Sequence, residues 1–377
     1  MKPIRSELLN GAFADLKGRG ARSNRESRFL ATVHEQVPDH LDSAIDERGD
    51  ERRDEGGEAA CAVRTVVTVE RARSIISRNQ SPDIPFDQSI NPYRGCEHGC
   101  VYCYARPSHA YLGLSPGIDF ETRLFAKTNA APLLEQELRK PGYAPALIAL
   151  GANTDPYQPI ERDQRITRAL LEVLAAFGHP VSITTKSALV LRDLDILADM
   201  ARRNLVHVWL SVGTQDRRIA RALEPRASTP ARRIQTVREL ARAGIPAGVL
   251  VAPVIPALTD PEMEAILAAA AAAGARHAGY VVLRLPLELQ ELFVEWLREF
   301  APLKAAHVMS LVRQLRDGRA SDGAFGTRMT GTGVLAALLR QRFGLACRRL
   351  GLAGARIELD TRHFRVPEAP GAQQRLF

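Results

Sequence analysis

The sequence predicts an α/β fold, a largely parallel sheet closed or partly closed into a barrel, and three observations predict it. Short apolar, β-branched runs alternate with helical stretches six times, the pattern of parallel strands joined by crossover helices. Helix starts are marked: Pro230 follows Thr229 and Pro261 follows Asp260, which suits first-turn prolines behind N-capping side chains. With 377 residues, 45% of them hydrophobic, the chain can bury one large core or two modest ones.

Taken in order, residues 1–60 form a charged tail. From Glu35 to Glu58 there are ten acidic and three basic residues and few large apolar ones, so disorder is expected. That local −7 leaves +15 on the rest of a chain whose total is +8. Residues 62–70 alternate as a strand does. The core, residues 61–300, offers further strands at 89–91, 146–151, 181–185, 206–212, 246–251 and 278–283. Its helices fall at 131–139, 164–177, 190–203, 230–243, 261–273 and 287–300. Barrels of this kind build their sites in the loops after the C-terminal strand ends.

Residues 301–377 form a C-terminal extension that holds, from Val308 onward, twelve Arg, no Lys and five acids. That surplus suits phosphate partners and a solvated arginine-rich surface equally. No run of about 18 uncharged apolar residues occurs, so no membrane span is expected. The start, Met-Lys-Pro-Ile-Arg, leads into no apolar signal segment, which points to the cytoplasm and to reduced cysteines.

Three of the five cysteines fall within the cluster-loop segment 91–106, as Cys96-x3-Cys100-x2-Cys103. A structural zinc would want four closed ligands, and neither Cys61 nor Cys347 is near, nor any His pair of finger spacing. Three thiolates on one short loop suit a cubane iron–sulfur cluster with one iron left open. Gly95 and Gly99, each directly before a cysteine, let the backbone wrap closely and turn its amides toward the sulfides. A cluster-bearing redox or iron sensor is the competing use of such a loop.

The motif, with Tyr102 before its third cysteine, resembles the signature of the radical S-adenosylmethionine (SAM) superfamily. The flanks, Asn91-Pro-Tyr-Arg-Gly-Cys and Tyr102-Cys-Tyr104, are similar to the branch that includes spore photoproduct lyase and uncharacterised bacterial proteins. The resemblance covers roughly residues 86–300 and implies a partial (βα)6 barrel, a [4Fe–4S] cluster on Cys96, Cys100 and Cys103, and SAM on the open iron. It further implies reductive cleavage of SAM to methionine and a 5′-deoxyadenosyl radical, an electron donor such as flavodoxin or ferredoxin, and a nucleic acid or nucleotide substrate.

By the same resemblance, Asn153 or Thr154 would bind the methionine end of SAM and Lys186 its carboxylate. Ser211 would contact ribose or carboxylate, Val254 and Ile255 would shelve the adenine, and Arg226 and the Tyr102 backbone would lie near the cofactor. Each has a plainer use: Asn153 and Asp155 end a strand, Lys186 pairs with Asp193, Ser211 satisfies backbone, and Tyr102 packs. Glu161 and Arg162 read as an ion pair at a helix start, and His98 as a surface residue or one behind the ligands.

The resemblance weakens where the lyase carries its hydrogen-donating cysteine, since 150–157 contains none. Cys347 is the weak candidate to replace it, against a plain buried role. The glycine-rich segment 318–333 lacks a P-loop ending and reads as a flexible lid. Finally, Gln373-Gln-Arg-Leu-Phe377 resembles the short peptide that docks DNA-repair proteins on a sliding clamp.

Overall fold

The structure, a computed structural model, describes residues 18–29, 64–354 and 357–368. The acidic stretch, Cys61 and the clamp-like 373–377 lie outside the described residues.

The first strands are β1 (Val66–Glu70), β2 (Ile76–Arg78), β3 (Gln88–Ile90) and the two-residue β4 (Tyr93–Arg94). After the cysteine loop and a 3-10 turn at Arg106–Leu112 come α1 (Asp119–Thr122), β5 (Arg123–Lys127) and α2 (Ala130–Leu138). The repeating part follows with β6 (Ile148–Leu150), α3 (Glu161–Gln164), α4 (Ile166–Ala176), β7 (Val181–Thr185), α5 (Leu194–Arg202) and β8 (Val206–Ser211). Then come α6 (Arg217–Leu223), α7 (Pro230–Arg242), β9 (Ala247–Val254), α8 (Met263–Ala272), β10 (His277–Val282) and α9 (Leu289–Phe300). The extension supplies α10 (Pro302–Gln314) and α11 (Gly333–Leu350).

The main sheet runs β10-β9-β8-β7-β6-β3-β2, parallel throughout except for β2 against β3. It is the expected partial barrel, with six parallel strands in chain order. β1, β5 and β4 make a separate small sheet. In β8, Val206, Val208 and Leu210 join Leu197, Val237 and Leu240 in the core between sheet and helices. Alternation sends His207, Trp209 and Ser211 to the other face, the barrel interior.

Thr229 caps α7 as expected, its hydroxyl accepting from the Arg232 amide. Asp260 does not cap a helix. It opens a 3-10 turn, accepts from the Ala257 amide and pairs with Arg342.

The extension closes the far end of the barrel. α11 packs on α8, and the residues after it pair with the start of β10, where Ala278 N donates to Ala353 O (2.9 Å). The chain then crosses beneath the strand starts: Arg365 N donates to Phe177 O, and Pro367 O accepts from Arg139. Cys347 is therefore buried in the outer helical layer at the end opposite the strand-end loops, which rules it out as a hydrogen donor there. The glycine-rich segment is not a loose lid. The buried Arg316 donates to the carbonyls of Thr327, Arg328 and Leu283, and Val282 N donates to Met329 O.

Candidate functional site

The cysteine loop leaves β4 at the C-terminal end of the parallel strands. Gly95 and Gly99 have φ of 74° and 67°, and a Cβ at either would lie within 2.7 Å of a Leu124 or Glu121 atom. The turn thus requires glycine twice. The Gly99 amide does not face inward as expected; it closes a turn onto Cys96 O, while Val101 N donates to Leu223 O (3.0 Å). Cys96 and Cys100 are buried, Cys103 packs against the neighbours of both, and all three are free thiols.

Three free thiols on one glycine-turned loop are one short of a closed structural zinc site and fit a multi-iron cluster with an open iron. Burial pushes the Cys100 thiol up to about 12 against the pull of Lys186, so loading a cluster must displace protons.

Behind the loop the protein buries charge. Tyr102 donates its hydroxyl to Glu224, and Glu224 accepts from Arg233, which also donates to Ser211 O and Ser228 O. All three are buried. Burial acts to raise the Glu224 pKa, yet Arg233 and Lys186 bring it below the usual carboxylate range. On the other flank the fully buried Arg106 holds Cys100 O (2.8 Å) and Glu121 (2.5 Å), and Glu121 accepts the amides of Gly20 and Ala21. Asp155, after β6, accepts from Thr185 Oγ1 and Lys186 N and lies 3.2 Å from His98 Nδ1. His98 is thus buried behind the ligands rather than on the surface.

The comparisons with known proteins bear on this loop directly. A sequence profile of the radical SAM superfamily matches residues 90–270. The uncharacterized protein Rv2578c of Mycobacterium tuberculosis is 39% identical over 233 residues, which cover 61% of this chain and 68% of that protein. The uncharacterized protein MJ0683 of Methanocaldococcus jannaschii is 30% identical over 173 residues, 46% of this chain and 62% of that protein. A spore photoproduct lyase variant with bound AdoMet and dinucleoside spore photoproduct shares the fold, with TM-score 0.54 and 15% identity over 76% of this chain and 81% of the lyase.

The chain belongs to the radical SAM superfamily. It is an enzyme of that superfamily, whose members use a [4Fe–4S] cluster and SAM, and Cys96, Cys100 and Cys103 are the thiols that would hold the cluster.

The radical SAM barrel brings some of the expected cofactor residues to the site and withdraws others. Lys186, at the end of β7, holds its ammonium 5.9 Å from the Tyr102 ring centroid. It makes no ion pair with Asp193, which is taken by Arg168 and Arg192, and has no side-chain hydrogen bond among the described residues. Burial opposes its charge, but Cys100, Glu224 and Asp155 hold its pKa above the ordinary lysine value. Asn153 follows β6 with its amide on Asn91 Oδ1.

Thr154 spends its hydroxyl proton on Tyr93 O, and Ser211 spends its own on Ala252 O, so neither is a free donor. Arg226 pairs with Glu97 (2.9 Å) and lies partly exposed, so it is not an uncommitted cation beside a cofactor. Ile255 packs with Cys100, Val101 and Tyr102 as an apolar wall, whereas Val254 belongs to the main sheet core. Glu161 pairs with Arg192 across the fold, not with Arg162. Arg233, Arg106 and Glu121 were missed from the sequence; one signal was Arg106 itself, three residues after Cys103.

Proposed function

We propose that this radical SAM enzyme acts on a nucleic acid or nucleotide, in the cytoplasm, with Lys186 and Asn153 binding the methionyl end of SAM. When bound, the cluster supplies the electron that cleaves SAM and so generates the hydrogen-abstracting radical. Lys186 neutralises the methionyl carboxylate from a site already rich in negative groups. Ile255 excludes water beside the cysteine loop, and the Glu224–Arg233 pair fixes Tyr102 against it. Asp155 accepts the Lys186 backbone amide and lies beside His98, so one carboxylate ties the end of β7 to the cysteine loop.

The observation that carries the substrate reading is the pairing of exposed rings with arginines at the barrel mouth. Tyr104 is 46% exposed and Phe325 is 61% exposed. Arg284 stands 5.6 Å from the Tyr104 ring and Arg328 stands 4.8 Å from that of Phe325. Arg284 bonds only to the Met329 thioether, and its buried Nε has no partner among the described residues. Arg328 is already paired with Asp83, so Arg284 is the cation left to meet phosphate. Rings that stack bases beside such a cation are elements of single-strand recognition, at about 1–3 kcal/mol per stacked base. The likeness to a lyase that binds a dinucleoside photoproduct supports the same reading.

Without a cysteine in 150–157, photoproduct reversal of the lyase type is disfavoured. A test uses deuterated DNA and RNA oligonucleotides with the cluster-loaded enzyme. Deuterium should pass into 5′-deoxyadenosine, and Arg284→Ala should suppress that transfer while leaving oligonucleotide-free SAM cleavage unchanged. Transfer from neither polymer would overturn the substrate reading.

A further inference from the structure

A cleft of about 920 Å³ opens beside the cysteine loop, between residues 18–22, α6, the entry to α7 and the end of α9. Six arginines line it against two carboxylates. Both carboxylates are already paired, Glu224 with Arg233 and Glu299 with Arg22. Arg217, Arg218 and Arg221 project from α6 and are exposed; Arg218 rests 5.6 Å from the Phe300 ring. None of the three forms an ion pair among the described residues. The cleft therefore presents uncompensated positive charge, which focuses potential on an approaching anion.

Its inner wall packs against the back of the cysteine loop. Glu224 and Pro225 line the cleft, while Leu223 O accepts from Val101 N and His98 O accepts from Arg226 N. The Pro225 ring lies only 3.3 Å from where a Cβ on Gly99 would stand. One short segment thus separates the cleft from a loop whose thiols are themselves buried. The cleft shares no residue with the mouth formed by Tyr104, Arg284 and Phe325.

We propose that this cleft docks an acidic one-electron donor protein of the flavodoxin or ferredoxin kind. The inference rests on the radical SAM assignment, which requires one electron from outside for each SAM cleaved. In the step served here the donor is oxidised by one electron and the cluster reduced by one, with no atom transferred. Electron transfer weakens steeply with distance, so a donor gains by docking where the wall over the ligands is thinnest. Small, charge-steered contacts are the usual form of such redox encounters. A nucleic acid bound in the cleft would instead lie behind the loop, away from the mouth.

The test compares the cluster-loaded protein with its Arg217→Glu/Arg221→Glu variant, using fluorescently labelled flavodoxin for binding and two reductants for SAM cleavage. Flavodoxin affinity should fall about tenfold or more, with a parallel fall in flavodoxin-driven cleavage. Cleavage driven by dithionite, which needs no docking, should be unchanged. Added salt should weaken flavodoxin binding to the unmodified protein and have much less effect on the variant. Unchanged flavodoxin affinity would overturn the proposal, as would equal loss with both reductants. Loss of oligonucleotide affinity with flavodoxin binding intact would overturn it in favour of a nucleic-acid groove. Failure of the unmodified protein to cleave SAM with either reductant would sink the enzyme reading instead, leaving flavodoxin binding to judge the cleft alone.

Discussion

At the C-terminal ends of the strands this barrel buries charges, while at the N-terminal ends it packs rings against one another. The first end holds Arg233 against Glu224, Arg106 against Glu121, and Asp155 between His98 and Lys186. The second holds His207 beside Trp209 and His277, and His179 beside Tyr143 and Phe364. Buried ion pairs are a weak way to gain stability, because desolvation cancels most of their attraction. Their concentration around the cysteine loop is better explained by positioning, whereas the rings opposite seal the barrel under the crossing segment 357–368.

The contrast can be broken most severely at Glu224. Glu224→Gln should leave Arg233 charged and unpaired in the interior and cost about 3–5 kcal/mol, read as a drop in the urea midpoint. Adding Arg233→Met should recover part of that loss. Recovery of nothing would mean that the pair is not the coupled unit described.

Acid should reach the two ends in different windows. Burial holds His179 at about 4 and His207 at about 3, below their ordinary value. The unfolded chain therefore takes up these protons first, so stability present above about pH 6.5 is lost as pH falls toward 4, by on the order of 2–3 kcal/mol per group. Asp155 and Glu224 are depressed carboxylates, so their contribution is present above the usual carboxylate range and is lost as pH falls through and below it, later than that of the histidines. His179→Gln should flatten the decline between pH 6.5 and 4. A decline equally steep in that variant would remove His179 from the account.

At the site itself, Lys186 and Ser211 separate cofactor binding from framework. Lys186→Ala should weaken SAM binding by about 2 kcal/mol, on the order of thirtyfold, with cluster absorption intact. Ser211→Ala should cost about 1 kcal/mol of stability through its lost bond to Ala252 O and leave SAM affinity alone. The reverse pattern in isothermal titration would exchange their roles.

The repeating strands and helices were legible because β-branched runs such as 181–185 and 206–211 are buried on both faces and carry their own signal. The cysteine loop was legible because its ligands are close in sequence. Of the small sheet only β1 was legible, by its alternation, since β4 has two residues and its partner β5 lies far along the chain. The charged network was not, because Tyr102, Glu224 and Arg233 meet only after three strands have been laid side by side. Ser211 and Arg226 were misassigned for the same reason: a polar residue at a strand end or before a helix looks alike whether it faces a ligand or another group of the fold. In the extension, the net charge misled, because Arg316, Arg328 and Arg342 are spent on carbonyls and carboxylates of the fold.

The central claim is that the loop of Cys96, Cys100 and Cys103 carries a cluster that cleaves SAM. It is tested most directly by anaerobic reconstitution, followed by dithionite, SAM and quantification of 5′-deoxyadenosine. The account predicts about four irons per chain and 5′-deoxyadenosine formation, both abolished when the three cysteines are replaced by alanine. Iron binding and 5′-deoxyadenosine formation that persist in the triple variant would contradict it.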